Sequence, residues 1–274
     1  MKFLRPIKDS INYAWFLLRG KKPWIRGYEV YKRREIMRVL ASGKFEANEL
    51  EDNYGLRLDE RVLEYPWLFS RLPKNPGKLL DAGSALNHEF LLSHHHLKNK
   101  QTFISTLAPE QVCFWKQKIS YVYEDLRETC YRDNYFDWIA SISTIEHIGL
   151  DNNFLYTQDI LKKENQKDAY LIAIKEYNRI LKPGGTLYLT FPFGRTKNHG
   201  WFQVFDSPML DKVIETFAPT SITEFHFRYD ADGWKPSSRE ASKNATYFDI
   251  HQQKTYEPDY AAASRAIVCL EMVK

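Results

Sequence analysis

The stretch Lys78-Leu79-Leu80-Asp81-Ala82-Gly83-Ser84 constrains the fold more than any other part of the chain. A short apolar run, punctuated ahead by Pro76 and Gly77, ends in an acid, a glycine and a small polar residue. Short apolar runs bounded by turn signals read as buried strands. Strands of that kind belong to parallel sheets covered on both faces, and ligands of such sheets bind beyond the strands' carboxyl ends. Gly83 lacks a Cβ, so a nucleotide-sized ligand can come close to the backbone there. Taken alone, an ordinary strand-to-loop turn explains the heptapeptide equally well. The downstream sequence separates the two readings.

From Gly77 onward strand and helix patterns alternate, which specifies an α/β fold with a mostly parallel sheet. The pattern predicts strands at Lys78–Asp81, Thr102–Thr106, Ile119–Tyr123, Phe136–Ser141, Thr186–Phe191, Ile222–Tyr229 and Arg265–Val273. A helix over Gln166–Leu181 carries Leu171, Ile174, Tyr177 and Leu181 on one stripe and stops at Lys182-Pro183-Gly184-Gly185. Another starts at Asp206-Ser207-Pro208, a cap followed by a first-turn proline. Residues 1–76 read as a helical, basic extension, residues 77–274 as the α/β domain, and residues 230–264 as an insertion between the last two strands.

Four segments then follow one another in order: Leu79–Ser84; Glu124-Asp125-Leu126-Arg127 after the third strand; Phe136–Ile148, which ends in Glu146-His147-Ile148; and Glu176–Gly185 before a strand closing at Phe191-Pro192-Phe193-Gly194. Each is weak alone. Together, at this spacing, they resemble the class I S-adenosylmethionine-dependent methyltransferases, over roughly 77–274. Closest in character are the small-molecule and glycan-cluster members that carry a helical amino-terminal extension. The resemblance implies a Rossmann-like sheet of seven strands with an antiparallel last strand, and S-adenosyl-L-methionine as cofactor.

Carried over by position, the resemblance implies that Asp81, Gly83 and Ser84 contact the methionine half of the cofactor. It gives Asp125 and Leu126 to the adenine, and Ser141 and Ser143 to the wall beside the sulfonium. A carboxylate such as Asp81 suits an ammonium group through charge-assisted hydrogen bonds. The chain departs from the pattern twice. Ala85, Leu86 and Asn87 stand where further glycines are usual, and Thr106 stands where an acid usually grips the ribose. A threonine offers one hydroxyl rather than a bidentate grip.

Methyl transfer is an in-line displacement that needs an aligned acceptor and often a base. His147, Glu146 and His199 are the candidate catalytic residues, with His147 placed at the pocket mouth after the fourth strand. The alternative for Glu-His is a structural cap of the next helix. A divalent-metal variant would need Glu146 and His147 with help from His199, since Ser143 occupies the place of a second acid. The expectation is that no metal is bound. His94-His95-His96 reads as a solvated helical face, because consecutive helical residues diverge. The acceptor pocket is expected from residues 195–206 and 230–264, which carry Trp201, Phe202, Phe205, Trp234, Tyr247, Phe248, His251 and Tyr256, with Arg195, Lys197, Arg239 and Lys243. Rings beside basic groups suit a sugar, a phosphorylated sugar or a phenol; packing of the insertion on its own core is the alternative. Residues 58–67 read as a pocket wall or as a docked helix.

Charge narrows the partners. Residues 1–40 hold eleven Lys and Arg against three acids, whereas the chain as a whole carries +4, so the remainder is net acidic. That balance argues against nucleic acid. The apolar residues among 3–18 recur at near-helical spacing beside basic ones, which reads as a peripheral contact with an anionic membrane or as a helix packed on its own domain. No apolar run is long enough to span a bilayer. Three scattered cysteines without a CxxC suggest a reducing compartment. The expected setting is cytoplasmic, at the inner face of a membrane if the basic arm binds there, in glycan biosynthesis. The reading is O-methylation of a small or glycan-type acceptor, with oligomeric state open. Against it stands a methyltransferase-like binding module whose cofactor site has degenerated.

Overall fold

The structure is a computed structural model that describes residues 5–153 and 163–274. The chain forms two compact units, residues 72–225 with 268–274 and residues 1–71 with 226–267.

The first unit contains the α/β elements. Strands β1 (Gly77–Ala82), β2 (Lys100–Thr106), β3 (Ser120–Tyr123), β4 (Phe136–Ile142) and β5 (Leu181–Pro192) coincide with the apolar runs of the sequence. β1 pairs in parallel with β2 and with β4, β2 with β3, and β4 with β5. Helix α4 (Glu89–Leu92) follows β1, α5 (Tyr170–Ile180) precedes β5, a short hairpin pairs β6 (Lys197–Asn198) with β7 (Gln203–Val204), and α6 (Ser207–Phe217) follows. Asp206 caps α6 as expected, its Oδ1 accepting from Met209 N at 3.0 Å, with Pro208 in the first turn. The core lies between these helices and the sheet: Leu80, Ile139, Leu187 and Leu189 from the strands meet Ile174, Tyr177, Leu210 and Val213 from the helices.

Later strands β8 (Ser221–Asp230), β9 (Gly233–Ser237) and β10 (Ala266–Val273) extend the sheet, whose full order is β3-β2-β1-β4-β5-β10-β8-β9. Backbone bonds between Gly184 N and Lys274 O, and between Thr220 N and Val273 O, show that β10 runs against both neighbours. The antiparallel last strand is as expected. The strand count is not: the sheet has eight strands, because Gly233–Ser237 inside the expected insertion forms β9, paired antiparallel with β8 from His226↔Ser237 to Asp230↔Gly233. Gly233, at φ +100°, makes the tight turn that the pairing needs.

The second unit also departs from the expected division at residue 76, since residues 226–267 group with the amino-terminal helices. Its helices are α1 (Arg5–Leu18), α2 (Tyr28–Ser42), α3 (Arg61–Arg71) and a short α7 (Arg239–Ser242). Long-range hydrogen bonds hold the two segments together. Trp234 Nε1 donates to Leu58 O at 3.0 Å, Tyr256 OH to Pro23 O at 2.8 Å, and Trp24 Nε1 to Ala262 O at 2.6 Å. Trp234 and Phe248, expected at an acceptor pocket, are instead buried in this unit. In α3 Tyr65 and Trp67 are buried too, the docked-helix reading of residues 58–67.

The His94-His95-His96 segment follows α4 in turn structure rather than on a helix. The turn brings the three rings together, with centroids 4.2–5.1 Å apart. Burial, then the neighbouring imidazoles, pushes His94 down to about 4.

Candidate functional site

The order of the strands places a switch point between β1 and β4: the chain moves outward from β1 to β2 and β3, then returns to β4 on the other side. Loops diverge there and leave a crevice at the carboxyl ends. A cavity of about 280 Å³ occupies this position. Gly83 lines it after β1, Thr106 and Leu107 at the end of β2, Glu124 to Arg127 after β3, and Thr144 and His147 to Leu150 after β4, with Asn152 and Glu164 completing the wall.

Gly83 is required by close approach as well as by conformation. At φ +110° it lies in a region that side chains rarely enter, and a Cβ there would sit 2.2 Å from Thr144 Oγ1. Its N–H donates to Ser105 O at 2.9 Å, which ties the end of β1 to β2. Asp81 is buried beneath the loop, with Oδ2 accepting from Leu86 N at 2.9 Å. The carboxylate therefore shapes the turn from Gly83 to Leu86. Neither Asp81 nor Ser84 is among the cavity-lining residues.

Thr106 stands at the end of β2 as the sequence implied, and its Oγ1 is buried with no hydrogen-bond partner among the described residues. Asp125 lines the cavity but is engaged: Arg127 donates to it from its backbone N at 2.8 Å, from Nε at 3.0 and 3.1 Å, and from Nη2 at 2.6 Å. The same guanidinium grips Glu164 through two bonds of 2.6 Å. Burial pushes the Asp125 carboxyl up, but the bonds from Arg127 outweigh it and hold the group below the usual carboxylate range. Leu126 adds apolar wall. Glu124 bridges Ser105 Oγ at 2.6 Å and Cys130 N at 2.8 Å.

Ser141 and Ser143 lie off the cavity. Ser141 is buried in β4 with its Oγ 3.3 Å from Tyr177 OH, and the Ser143 backbone N–H donates to Thr190. Thr144, the next residue, is the one that reaches the wall.

His147 ends a single 3-10 turn, Ile145–His147, and lines the cavity. Its Nδ1 lies 2.9 Å from Trp201 O. A carbonyl only accepts, so Nδ1 carries the proton, and Nε2 is the nitrogen that accepts when the ring is neutral. Asn152 Nδ2 donates to His147 O at 2.7 Å and fixes the backbone, while the Trp201 ring lies 5.1 Å from the imidazole. Glu146 is buried and does not line the cavity. His199, also buried, stacks on Phe202 at 4.3 Å and lies outside the lining as well. Among the described residues no three His, Cys, Asp or Glu side chains gather where they could hold a metal ion.

Sequence reasoning missed Thr144, Gly149, Asn152 and Glu164. Glu164 lies 39 residues from Asp125, and no local pattern announces their common partner. Gly149 had a local signal, being a glycine just after Glu146-His147-Ile148; it sits at φ +81°, with Gln166 O 2.3 Å from where a Cβ would be.

No protein-family model and no curated protein sequence matches the chain. Solved structures resemble it at low identity. The Bacillus subtilis YcgJ protein is 12% identical over 77% of this chain and 98% of its own, with a TM-score of 0.46. A Burkholderia thailandensis 1,6-didemethyltoxoflavin-N1-methyltransferase with S-adenosylhomocysteine bound is 12% identical over 100% and 89%, with a TM-score of 0.44. A Haemonchus contortus phosphoethanolamine N-methyltransferase, also with S-adenosylhomocysteine, is 12% identical over 76% of this chain and 52% of its own, at 0.46. The parallel β3-β2-β1-β4-β5 order, continued by an antiparallel β10 and then β8, is a Rossmann-like, mostly parallel α/β sheet.

Proposed function

We propose that the chain binds S-adenosylmethionine in the cavity at the β1–β4 switch point and methylates a hydroxyl of a small or glycan-type acceptor. The observation that carries the reading is that one cavity draws its wall from the carboxyl ends of β1, β2, β3 and β4 together. The residues present fit the cofactor: a glycine without Cβ in the wall, a hydroxyl at the end of β2 with no hydrogen-bond partner among the described residues, apolar Leu107 and Leu126, and acids after β3. Gly83, Thr106, Thr144 and Leu126 are the residues proposed to hold it. When bound, the sulfonium supplies an electrophilic methyl group for in-line attack.

The chain's own residues supply alignment and a base. The Trp201 carbonyl fixes the tautomer of His147, so that Nε2 is the nitrogen able to take the acceptor's proton. Half-buried Trp201 stands beside that imidazole and offers a ring suited to stacking on a sugar, while Phe202, also beside it, is buried. Exposed Arg195 and Lys197 nearby in sequence suit a phosphorylated one.

Calorimetric titration of S-adenosylhomocysteine tests the reading. The wild type should bind in the micromolar range. Thr106→Val should weaken binding about fivefold, the worth of one hydrogen bond. Leu107→Trp, which fills the cavity from a half-buried position, should abolish it. A folded wild type that releases no heat and shows no thermal shift refutes the reading and favours a module without cofactor, in which the Arg127 clamp on Asp125 has closed the adenine side.

A further inference from the structure

Helix α1 has its apolar side outward. Ile7, Ile11, Ala14 and Leu18 recur at spacings of four, three and four residues, which is one stripe of a helix. Ile7 is 60% exposed, Ile11 56% and Leu18 86%. The opposite side makes the contacts. Asp9 pairs with Arg33 at 2.5 Å, Asn12 Oδ1 accepts from Arg26 Nε at 2.8 Å, Tyr13 stacks on Tyr31 at 5.9 Å, and Phe16 is fully buried. A helix serving only to cover its own core would turn Ile7, Ile11 and Leu18 inward.

Basic groups border the stripe. Lys8 and Arg19 lie on one flank, Arg19 over the Trp15 ring at 5.3 Å, and exposed Lys22 follows. The three acids of residues 1–40 are all committed to ion pairs: Asp9 with Arg33, Glu29 with Lys32 and Glu35 with Arg38. Lys8, Arg19 and Lys22 have no carboxylate partner among the described residues, so three uncompensated cations border the stripe. A second copy would bring the same surplus and repel. An anionic lipid surface matches both features, taking the apolar residues at the acyl boundary and the cations among the headgroups. No helix of the described residues is long and apolar enough to cross a membrane, so the contact lies in the interface plane.

We infer that the Ile7–Ile11–Leu18 face of α1 docks the protein on an anionic bilayer. The test is co-sedimentation of the full chain with sucrose-loaded vesicles of phosphatidylglycerol and phosphatidylcholine, against phosphatidylcholine alone, with sedimentation velocity on the free protein. The wild type should bind the anionic vesicles and be released by salt. Ile11→Glu/Leu18→Glu should lower the partition coefficient by roughly a hundredfold. Lys8→Gln/Lys22→Gln, which leaves the stripe intact, should lower it by roughly tenfold and keeps the test readable should acids in α1 disturb the helix. Failure of the wild type to bind, equal binding to neutral vesicles, or unchanged binding by both variants overturns the inference. So does a wild-type dimer that the Ile11→Glu/Leu18→Glu variant dissociates without any vesicle binding, which assigns the stripe to a second copy.

Discussion

Replacing Gly83 with alanine tests the packing between the ends of β1 and β4 most directly. The backbone there sits at φ +110°, and an added Cβ would lie 2.2 Å from Thr144 Oγ1, 2.4 Å from Cγ2 and 2.8 Å from Cβ. Holding a non-glycine residue in such a conformation costs about 1–3 kcal/mol, and forcing a methyl into an occupied site costs about 1–3 kcal/mol more. A loss of about 4 kcal/mol, at roughly 2–4 °C per kcal/mol, lowers Tm by about 8–16 °C. The two contributions separate in a double-mutant cycle with Thr144→Ala. That change removes Oγ1 and Cγ2 but keeps the Cβ, so it should recover about 1–2 kcal/mol of coupling and leave the backbone strain. Thermal and urea denaturation of the four proteins is the assay. A Gly83→Ala loss below about 1 kcal/mol, or no coupling to Thr144, would refute this account of the β1 loop. Gly83→Val, with a larger side chain at the same position, is expected to report on folding before it reports on cofactor binding.

Replacing His147 with glutamine should cut methyl transfer by about a hundredfold or more while S-adenosylhomocysteine still binds; unchanged turnover on an acceptor found by screening would return His147 to a structural role. Burial, then the neighbouring Asp59 and Glu64 charges, pushes Glu60 from its ordinary 4.5 up to about 7. The folded state thus holds a proton that the unfolded state has released, and the stability this brings is complete below about pH 4.5 and lost as pH rises to about 7. Glu60→Gln should match the wild type near pH 4 and exceed it at pH 8 by roughly 3 kcal/mol at most; equal melting curves at pH 8 would show that Glu60 is ionised at no cost.

The sequence by itself determined the sheet. Apolar run length and the glycine and proline punctuation act within a few residues, so the seven expected strands and the Asp206 cap of α6 were legible without partners. It also placed Gly83, Thr106, Asp125, Leu126 and His147 at strand ends, where the fold brings them to one cavity. What depends on distant partners was not legible. Arg127 clamps Asp125 to Glu164, Thr144 fills the space a Cβ at Gly83 would need, and Trp201 lends its carbonyl to His147. Trp234 and Phe248 looked like pocket residues because an aromatic ring in an insertion suits a ligand and a core equally; only the bond from Trp234 to Leu58, across 176 residues, decides for the core. The apolar spacing of α1 was visible too, but periodicity shows that a helix has an apolar face and not which way it points. Tertiary contacts through Asp9, Asn12, Tyr13 and Phe16 set that direction.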